Sequence, residues 1–386
     1  VSDGLLLTLN AGSSSIKFGL YEAAPEPAER MRGQIDRLGP EARLVLDGMA
    51  TAVSAPDHAA GLDAILDALG PHLAGRRIAG VGHRVVHGGP EIDGPRALTP
   101  ELLRRLEALA PLAPLHQPHN IAGIRAAIAA FPEAVQVAAF DTAFHRGHPW
   151  VNDTFALPRR FYEAGIRRYG FHGLSYDYIA GKLARDFKDV AQGAVIVAHL
   201  GNGASLCAMR DGRSVGSTMG FSALDGMPMG TRCGQLDPGV ILHFLAEGMD
   251  VDEITTLLYK ESGLKGLSGL SHDMRTLLGS DLKSASEAVD YYVFRLTREI
   301  GAMAAVLGGI DALVFTGGIG ENSSEIRARA LEPLGFLGLA VDPEANAANA
   351  TGIGAGAVPV LVLPTDEERV IARATAAALS RAGSGA

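Results

Sequence analysis

Four residues spread along the chain each stand in a distinctive setting: Arg84, His172 and Arg232, of types that bind or stabilise negative charge, and the acid Asp141. Arg84 lies in the glycine-bounded run Val81-Gly82-His83-Arg84-Val85-Val86-His87-Gly88-Gly89, and Asp141 ends an apolar run in Phe140-Asp141-Thr142-Ala143-Phe144-His145. His172 sits in Tyr169-Gly170-Phe171-His172-Gly173 and Arg232 in Met229-Gly230-Thr231-Arg232-Cys233-Gly234. Taken singly, each reads equally as an ion pair, a helix cap or a core histidine. Taken together with Lys17, a divalent cation and backbone amides, they form a sufficient set for phosphoryl transfer. Its transition state spreads negative charge over three equatorial oxygens, so cations and hydrogen-bond donors dominate catalysis. Arginine also suits a carboxylate substrate, because its planar fork binds two oxygens at once.

Three glycine-rich turns follow apolar strand-like runs: Asn10-Ala11-Gly12-Ser13-Ser14-Ser15, Gly201-Asn202-Gly203 and Gly317-Gly318-Ile319-Gly320-Glu321-Asn322. Turns at strand ends are where α/β sheets place ligands, and converging backbone N–H groups favour phosphate. In the first, alternation along the following strand puts Ser13, Ser15 and Lys17 on one face. An ordinary polar hairpin turn explains any one of them equally well; three of similar composition favour phosphate. No Walker A loop occurs, and neither later turn carries G-x-G-x-x-G, which disfavours a nicotinamide enzyme.

Of twelve histidines, His83 and His87 are four apart, but their run reads as extended. On a strand they would stand about 13 Å apart and could not share an ion. The net charge of −9 argues against a nucleic-acid surface, and two cysteines, Cys207 and Cys233, suggest a reducing cytoplasm without a disulfide framework or structural zinc. No run of 18 apolar residues predicts a membrane span, and no basic region leads a signal peptide.

The elements that must position these residues alternate. Strands are expected at Leu5–Leu9, Ile16–Tyr21, Val135–Phe140, Ala194–Leu200, Ala204–Met209, Ala312–Phe315 and Val360–Leu363. Helices are expected at about 57–70, 99–110, 118–130, from Ser324 to Leu331, and from about Glu367 to Arg381. This is an α/β chain whose 386 residues suit two domains. The two Asn- and Gly-containing hairpins echo each other, suggesting an internal duplication with one hairpin per domain. The main break is expected near 145–152.

The ordered motifs quoted above, with His199-Leu200-Gly201-Asn202-Gly203 added, cover nearly the whole chain and closely resemble the acetate kinase family of the acetate and sugar kinase/heat-shock/actin superfamily. The resemblance implies two actin-like (ribonuclease H-like) domains with the active site in the cleft between them. The N-terminal one would span 1–148, with a C-terminal helix at about 368–386 packing back on it. The second would span 149–367, bind nucleotide and form a homodimer. It implies reversible transfer of the ATP γ-phosphoryl group to acetate, giving acetyl phosphate and ADP, with Mg²⁺ (Mn²⁺ as the alternative ion) and no nucleic-acid or membrane partner. Asn10 and Glu367 would support the metal. Lys17, His199–Gly203, Asp273-Met274-Arg275 and Gly318-Ile319-Gly320-Glu321-Asn322 would bind ATP. Arg84 would hold the carboxylate, Asp141 is the family's acid/base position, and His172 and Arg232 would stabilise the phosphoryl group. Val86, Leu115 and Phe171 would line a small acyl pocket, with Ala223 nearby. The chain departs from the family where Gln117, Pro118 and His119 follow His116, and in Thr365-Asp366-Glu367-Glu368 where T-N-E-E is common. Glu368 is thus a second acid beside the metal position. The alternatives are a propionate or butyrate kinase and a non-catalytic actin-like nucleotide binder.

Overall fold

A computed structural model describes residues 4–12, 15–46, 48–114 and 116–384. They form two compact units: unit 1 contains the residues up to Arg146 and those from Asp366 onward, and unit 2 runs from Gly147 to Thr365.

Unit 1 is built on an eight-stranded sheet. Its strands are β1 (Leu5–Ala11), β2 (Ser15–Glu22), β3 (Glu29–Asp36), β4 (Arg43–Leu46), β5 (Met49–Ala52), β6 (Ile78–Val85), β7 (Arg96–Ala97) and β8 (Val135–Phe140), in the order β5-β4-β3-β2-β1-β6-β8-β7. The β1–β2 hairpin is antiparallel, whereas β1, β6 and β8 run parallel. Unbroken leucines in β1 follow from its central place, because both faces are covered. Leu5, Leu7 and Leu9 pack with Leu62, Ile65 and Leu69 of the His58–Leu73 helix. Leu6 faces the other way, with Tyr21, onto Ala372 and Ala376 of the Glu367–Ser384 helix. That helix comes unusually close to β6, where a Cβ on Gly82 would fall 2.5 Å from Ile371 Cγ2 and one on Gly80 2.8 Å from Thr375 Cγ2. Glycine at both positions is what admits it.

Unit 2 holds a five-stranded sheet of β9 (Ala194–Leu200), β10 (Ala204–Arg210), β11 (Arg213–Ser217), β12 (Ala312–Thr316) and β13 (Val360–Val362), in the order β11-β10-β9-β12-β13. The β9–β10 hairpin is antiparallel, and β9, β12 and β13 are parallel. This reproduces the β3-β2-β1-β6-β8 portion of unit 1 strand for strand, which agrees with the duplication suggested by the two hairpins. The Gly173–Asp186 helix packs on β9, and the 25-residue Lys283–Leu307 helix packs across β9, β10 and β11.

Two local expectations change. Asn10 and Ala11 belong to β1, not to the turn, because they pair with Lys17 and Ile16. Gly317–Asn322 is a short helix, not an open turn; the Gly317 N–H donates to Glu321 Oε1 at 2.8 Å and closes it. Ser13, Ser14 and Leu115 lie outside the described residues.

Candidate active site

In unit 1 the parallel strands β1, β6 and β8 end side by side, and their C-terminal ends deliver the functional groups. Asn10 comes from β1, Arg84 from β6, and Asp141 follows β8 directly, its N–H bonded to Val85 O at 3.0 Å. Arg84 grips Asp141 with two parallel hydrogen bonds, Nε to Oδ1 at 2.9 Å and Nη2 to Oδ2 at 2.6 Å. Its Nη1 donates to Asn10 Oδ1 at 3.2 Å, and Glu367 Oε2 lies 3.7 Å from its Nε. The four residues thus form one cluster around the guanidinium. Asp141 is 1% exposed. Burial opposes the charge on Arg84, but Asp141 and Glu367 outweigh it and push its pKa up. Glu367 is pushed up to about 7 by burial first, then by Asp141 and Glu368, with Arg84 and Lys17 pulling the other way.

Among the described residues no three His, Cys, Asp or Glu side chains are grouped so as to hold an ion by themselves. Magnesium does not require that, since it commonly takes one or two protein carboxylates, substrate phosphates and water. The Glu367 carboxylate and Asn10 amide oxygen, both beside Arg84, are hard oxygen donors of that kind. A divalent cation would also relieve the carboxyl crowding that raises Glu367. The residues therefore fit the ion.

The Gln117–Ala130 helix braces this end of the sheet. Asn120 accepts from Val86 N–H at 2.9 Å and donates to Ala11 O at 2.7 Å, so it ties β1 to the residue after β6. Gln117, the departure from the family pattern, is fully buried and bonds both the N–H and the C=O of His87. Val86 itself is buried. Lys17 is exposed on β2 and borders a cavity of about 460 Å³ with Arg32, Gln34 and Glu368.

In unit 2, His172 stands immediately before the Gly173–Asp186 helix with φ 58° and ψ 23°, a left-handed conformation that costs a residue with a side chain about 1–3 kcal/mol. That backbone aims the imidazole at the β9–β10 turn. A Cβ built on Gly203 would lie 3.0 Å from His172 Nε2 and 3.4 Å from Arg232 Nη2. The His172 and Arg232 nitrogens therefore converge on a space that only glycine leaves open. Arg232 is anchored from behind by Nη1 donating to Ala223 O at 3.1 Å. The His199 ring stacks on His172 at 4.4 Å, and Phe171 is buried beside the loop.

A cavity of about 530 Å³ in unit 2 is lined by Gly201, Asn202, Asp273, Met274, Arg275, Gly318, Ile319 and Asn322, joined by His272, Leu278 and Ser323. Apolar walls from Met274, Leu278 and Ile319 beside amide-rich turns suit a purine nucleotide with its phosphates. Arg275 lies on the surface, paired with Asp273 at 2.6 Å, which holds the aspartate carboxyl at about 2. Leu200, Gly320 and Glu321 support the turns from behind rather than facing this cavity. His272, Leu278 and Ser323 were missed from sequence because each flanks a motif without belonging to it.

The sequence matches the model of the Acetokinase family over residues 5–373. An acetate kinase of Methylocella silvestris is 53% identical, covering 97% of this chain and 98% of the relative. An acetate kinase of Rhodopseudomonas palustris is 52% identical, covering 96% and 97%. Among solved structures, a propionate kinase from Francisella tularensis superposes with a TM-score of 0.91 at 34% identity, covering 96% of this chain and 99% of that one. The acetate kinase of Porphyromonas gingivalis gives 0.88 at 36% identity, covering 97% and 100%. The ordered motifs, the paired sheets and these full-length likenesses agree: the chain belongs to the acetokinase family.

Proposed function

We propose that this acetokinase-family enzyme transfers the γ-phosphoryl group of ATP to acetate, reversibly, giving acetyl phosphate and ADP. The observation that carries the reading is the convergence of His172 Nε2 and Arg232 Nη2 on the space above Gly203. Two donors aimed at one open point are what a phosphoryl group with developing negative charge requires.

An acetate oxygen attacks the γ-phosphorus in line. The new P–O bond forms as the bond to the β,γ-bridging oxygen breaks, and its electron pair leaves with ADP. Acetate is ionised at neutral pH and needs no base to make it nucleophilic. Asp141 is accordingly assigned to positioning: its two bonds fix the plane of Arg84, which holds the acetate carboxylate. His172 and Arg232 stabilise the equatorial oxygens. Lys17, His199–Gly203, Asp273–Arg275 and Gly318–Asn322 serve the nucleotide, and Val86, Leu115 and Phe171 limit the acyl group. Asn10 and Glu367 would hold Mg²⁺, which would neutralise phosphate charge.

The same reading includes a homodimer formed through unit 2. The Pro238–Ala246 helix carries Val240, Ile241, Leu242, Phe244 and Leu245, yet buries none of its residues. Two free thiols are consistent with the cytoplasm, and among the described residues no helix is long and apolar enough to cross a membrane.

The test is kcat/KM for acetate, propionate and butyrate. Acetate should lead propionate, by about 10-fold or more per methylene. A higher value for propionate would reassign the acyl substrate.

A further inference from the structure

The His172 imidazole is held on its far side by groups that the reaction above does not use. Its Nδ1 lies 2.8 Å from Ser205 Oγ, and that oxygen lies 2.5 Å from the Tyr176 hydroxyl. Ser205 and Tyr176 are both fully buried. Local geometry assembles them. Tyr176 follows His172 by four residues, and its N–H donates to His172 O at 3.1 Å, so the two side chains leave the first helical turn on one side. Ser205 projects from β10, opposite His199 of β9 in the antiparallel register. His199 is fixed in turn by Ser175 Oγ, 2.8 Å from its Nδ1, and stacks on the His172 ring at an interplanar angle of 26°.

We propose that Tyr176 and Ser205 are positioning residues: a relay in which Tyr176 donates to Ser205 and Ser205 donates to His172 Nδ1, fixing the neutral imidazole with its proton on Nε2. That proton then faces the space above Gly203. The inference rests on the role given to His172 in the proposed function and adds how that role is maintained.

A neutral imidazole donates from one nitrogen and accepts at the other, so a hydroxyl at Nδ1 can satisfy it in two ways. The phenol decides between them. Burial raises the Tyr176 pKa well above its ordinary value, so the hydroxyl keeps its proton. The phenol oxygen also meets the His199 backbone, and Ser205 Oγ is the acceptor at hand for its proton. In the proposed relay Ser205 accepts from Tyr176 and gives its own proton to Nδ1, which lies 2.8 Å away. Nδ1 is then the acceptor and Nε2 the donor. Without the relay the ring can place its proton on Nδ1, and Nε2 would present a lone pair to an anionic phosphoryl oxygen.

Four measurements on the intact enzyme test this. Ser205→Ala should lower kcat by about 10-fold or more while KM for ATP and acetate stays within about two-fold. Tyr176→Phe, which keeps the ring, should give a smaller loss of the same kind and serves if Ser205→Ala does not fold. In a His172→Ala background, adding Ser205→Ala should cost nothing further in kcat. Nitrogen-15 spectra of the neutral ring should show the His172 proton on Nε2 in the parent enzyme and a mixture of tautomers in Ser205→Ala. Full activity of His172→Ala would remove the role on which the relay depends. With that role intact, an additive loss in the double variant, or a His172 tautomer unchanged by Ser205→Ala, would overturn the relay itself.

Discussion

Arg84 and Arg232 are both proposed to meet an anionic substrate group, and their surroundings suit them to different work. Arg84 is locked to Asp141 by two bonds at the end of β6, so in the proposed reaction it acts as a receptor set before the chemistry begins. Arg232 has one end tied to Ala223 O and the other directed at the space above Gly203. The first should affect ground-state binding and the second the transition state. Arg84→Ala should therefore raise KM for acetate. Arg232→Ala should lower kcat by about 10³-fold or more, as for other charge-stabilising arginines in phosphoryl transfer. Steady-state kinetics separates the two, and near-normal turnover in Arg232→Ala would remove its role. Two histidines that do no chemistry carry a stability consequence. His83 is buried, bonded to Gln136 Oε1 at 2.8 Å, and desolvation lowers its pKa to about 4; burial and Arg146 lower His87 to about 3. Both stay neutral in the fold below the pH at which the unfolded chain takes up protons, near 6.5. The unfolded state then binds more protons, so stability falls as pH drops from about 6.5 towards 4. His83 alone should account for about 3 kcal/mol across that range. Thermal melts from pH 7 to 4 should show the decline, and His83→Gln should lessen it, leaving the share due to His87.

At the scale of elements, the Glu367–Ser384 helix links packing to function, because its first residue is a proposed metal ligand and its middle lies on β6 over Gly80 and Gly82. Gly82→Val should lift this helix, cost about 1–3 kcal/mol through overpacking, and raise the Mg²⁺ concentration needed for half-maximal rate. Melting temperature and a magnesium titration check both effects, and a stable variant with unchanged magnesium dependence would contradict the coupling. The same elements mark what was legible in the sequence. β1, β9 and β12 announce themselves as apolar runs because both their faces are buried. β4 and β5 do not, since β5 is exposed along its whole length at the edge of the sheet and carries no alternation. Gly317–Asn322 reads as a turn because glycines dominate it, and the bond that the Gly317 N–H donates to Glu321 Oε1 to close it as a helix is not written in composition. Arg84, Asp141, His172 and Arg232 were legible through motif and charge. Ser205 and Tyr176 were not, because a serine on a buried strand and a tyrosine on a helix are unremarkable until folding places their oxygens 2.5 Å apart.

The molecule as a whole repeats one sheet pattern twice but distributes surface chemistry unequally. Among the described residues, the exposed large apolar side chains of unit 1 are Met49 and Ile128, whereas unit 2 exposes Leu242, Val251, Phe294 and Phe336 among many others. Surface of that kind marks a site of association. Sedimentation should find a dimer, and Leu242→Asp together with Leu245→Asp should shift it towards monomer; a parent enzyme that stays monomeric at micromolar concentration would contradict the assignment. The division of chemistry is unequal too. Unit 1 carries Arg84, proposed to hold the carboxylate, with the oxygen donors Asn10 and Glu367 beside it, and unit 2 carries His172 and Arg232, proposed to stabilise the phosphoryl group, and the cavity proposed for the nucleotide. An actin-like nucleotide binder would have use for the second set alone. Possession of both sets is the reason to expect an acyl phosphate, and trapping that product with hydroxylamine is the most direct measurement. Incubated with ATP, Mg²⁺ and acetate, the enzyme should form acetohydroxamate in step with ADP, and neither should accumulate without acetate. ADP release with no hydroxamate, or nucleotide binding with no turnover, would contradict the account.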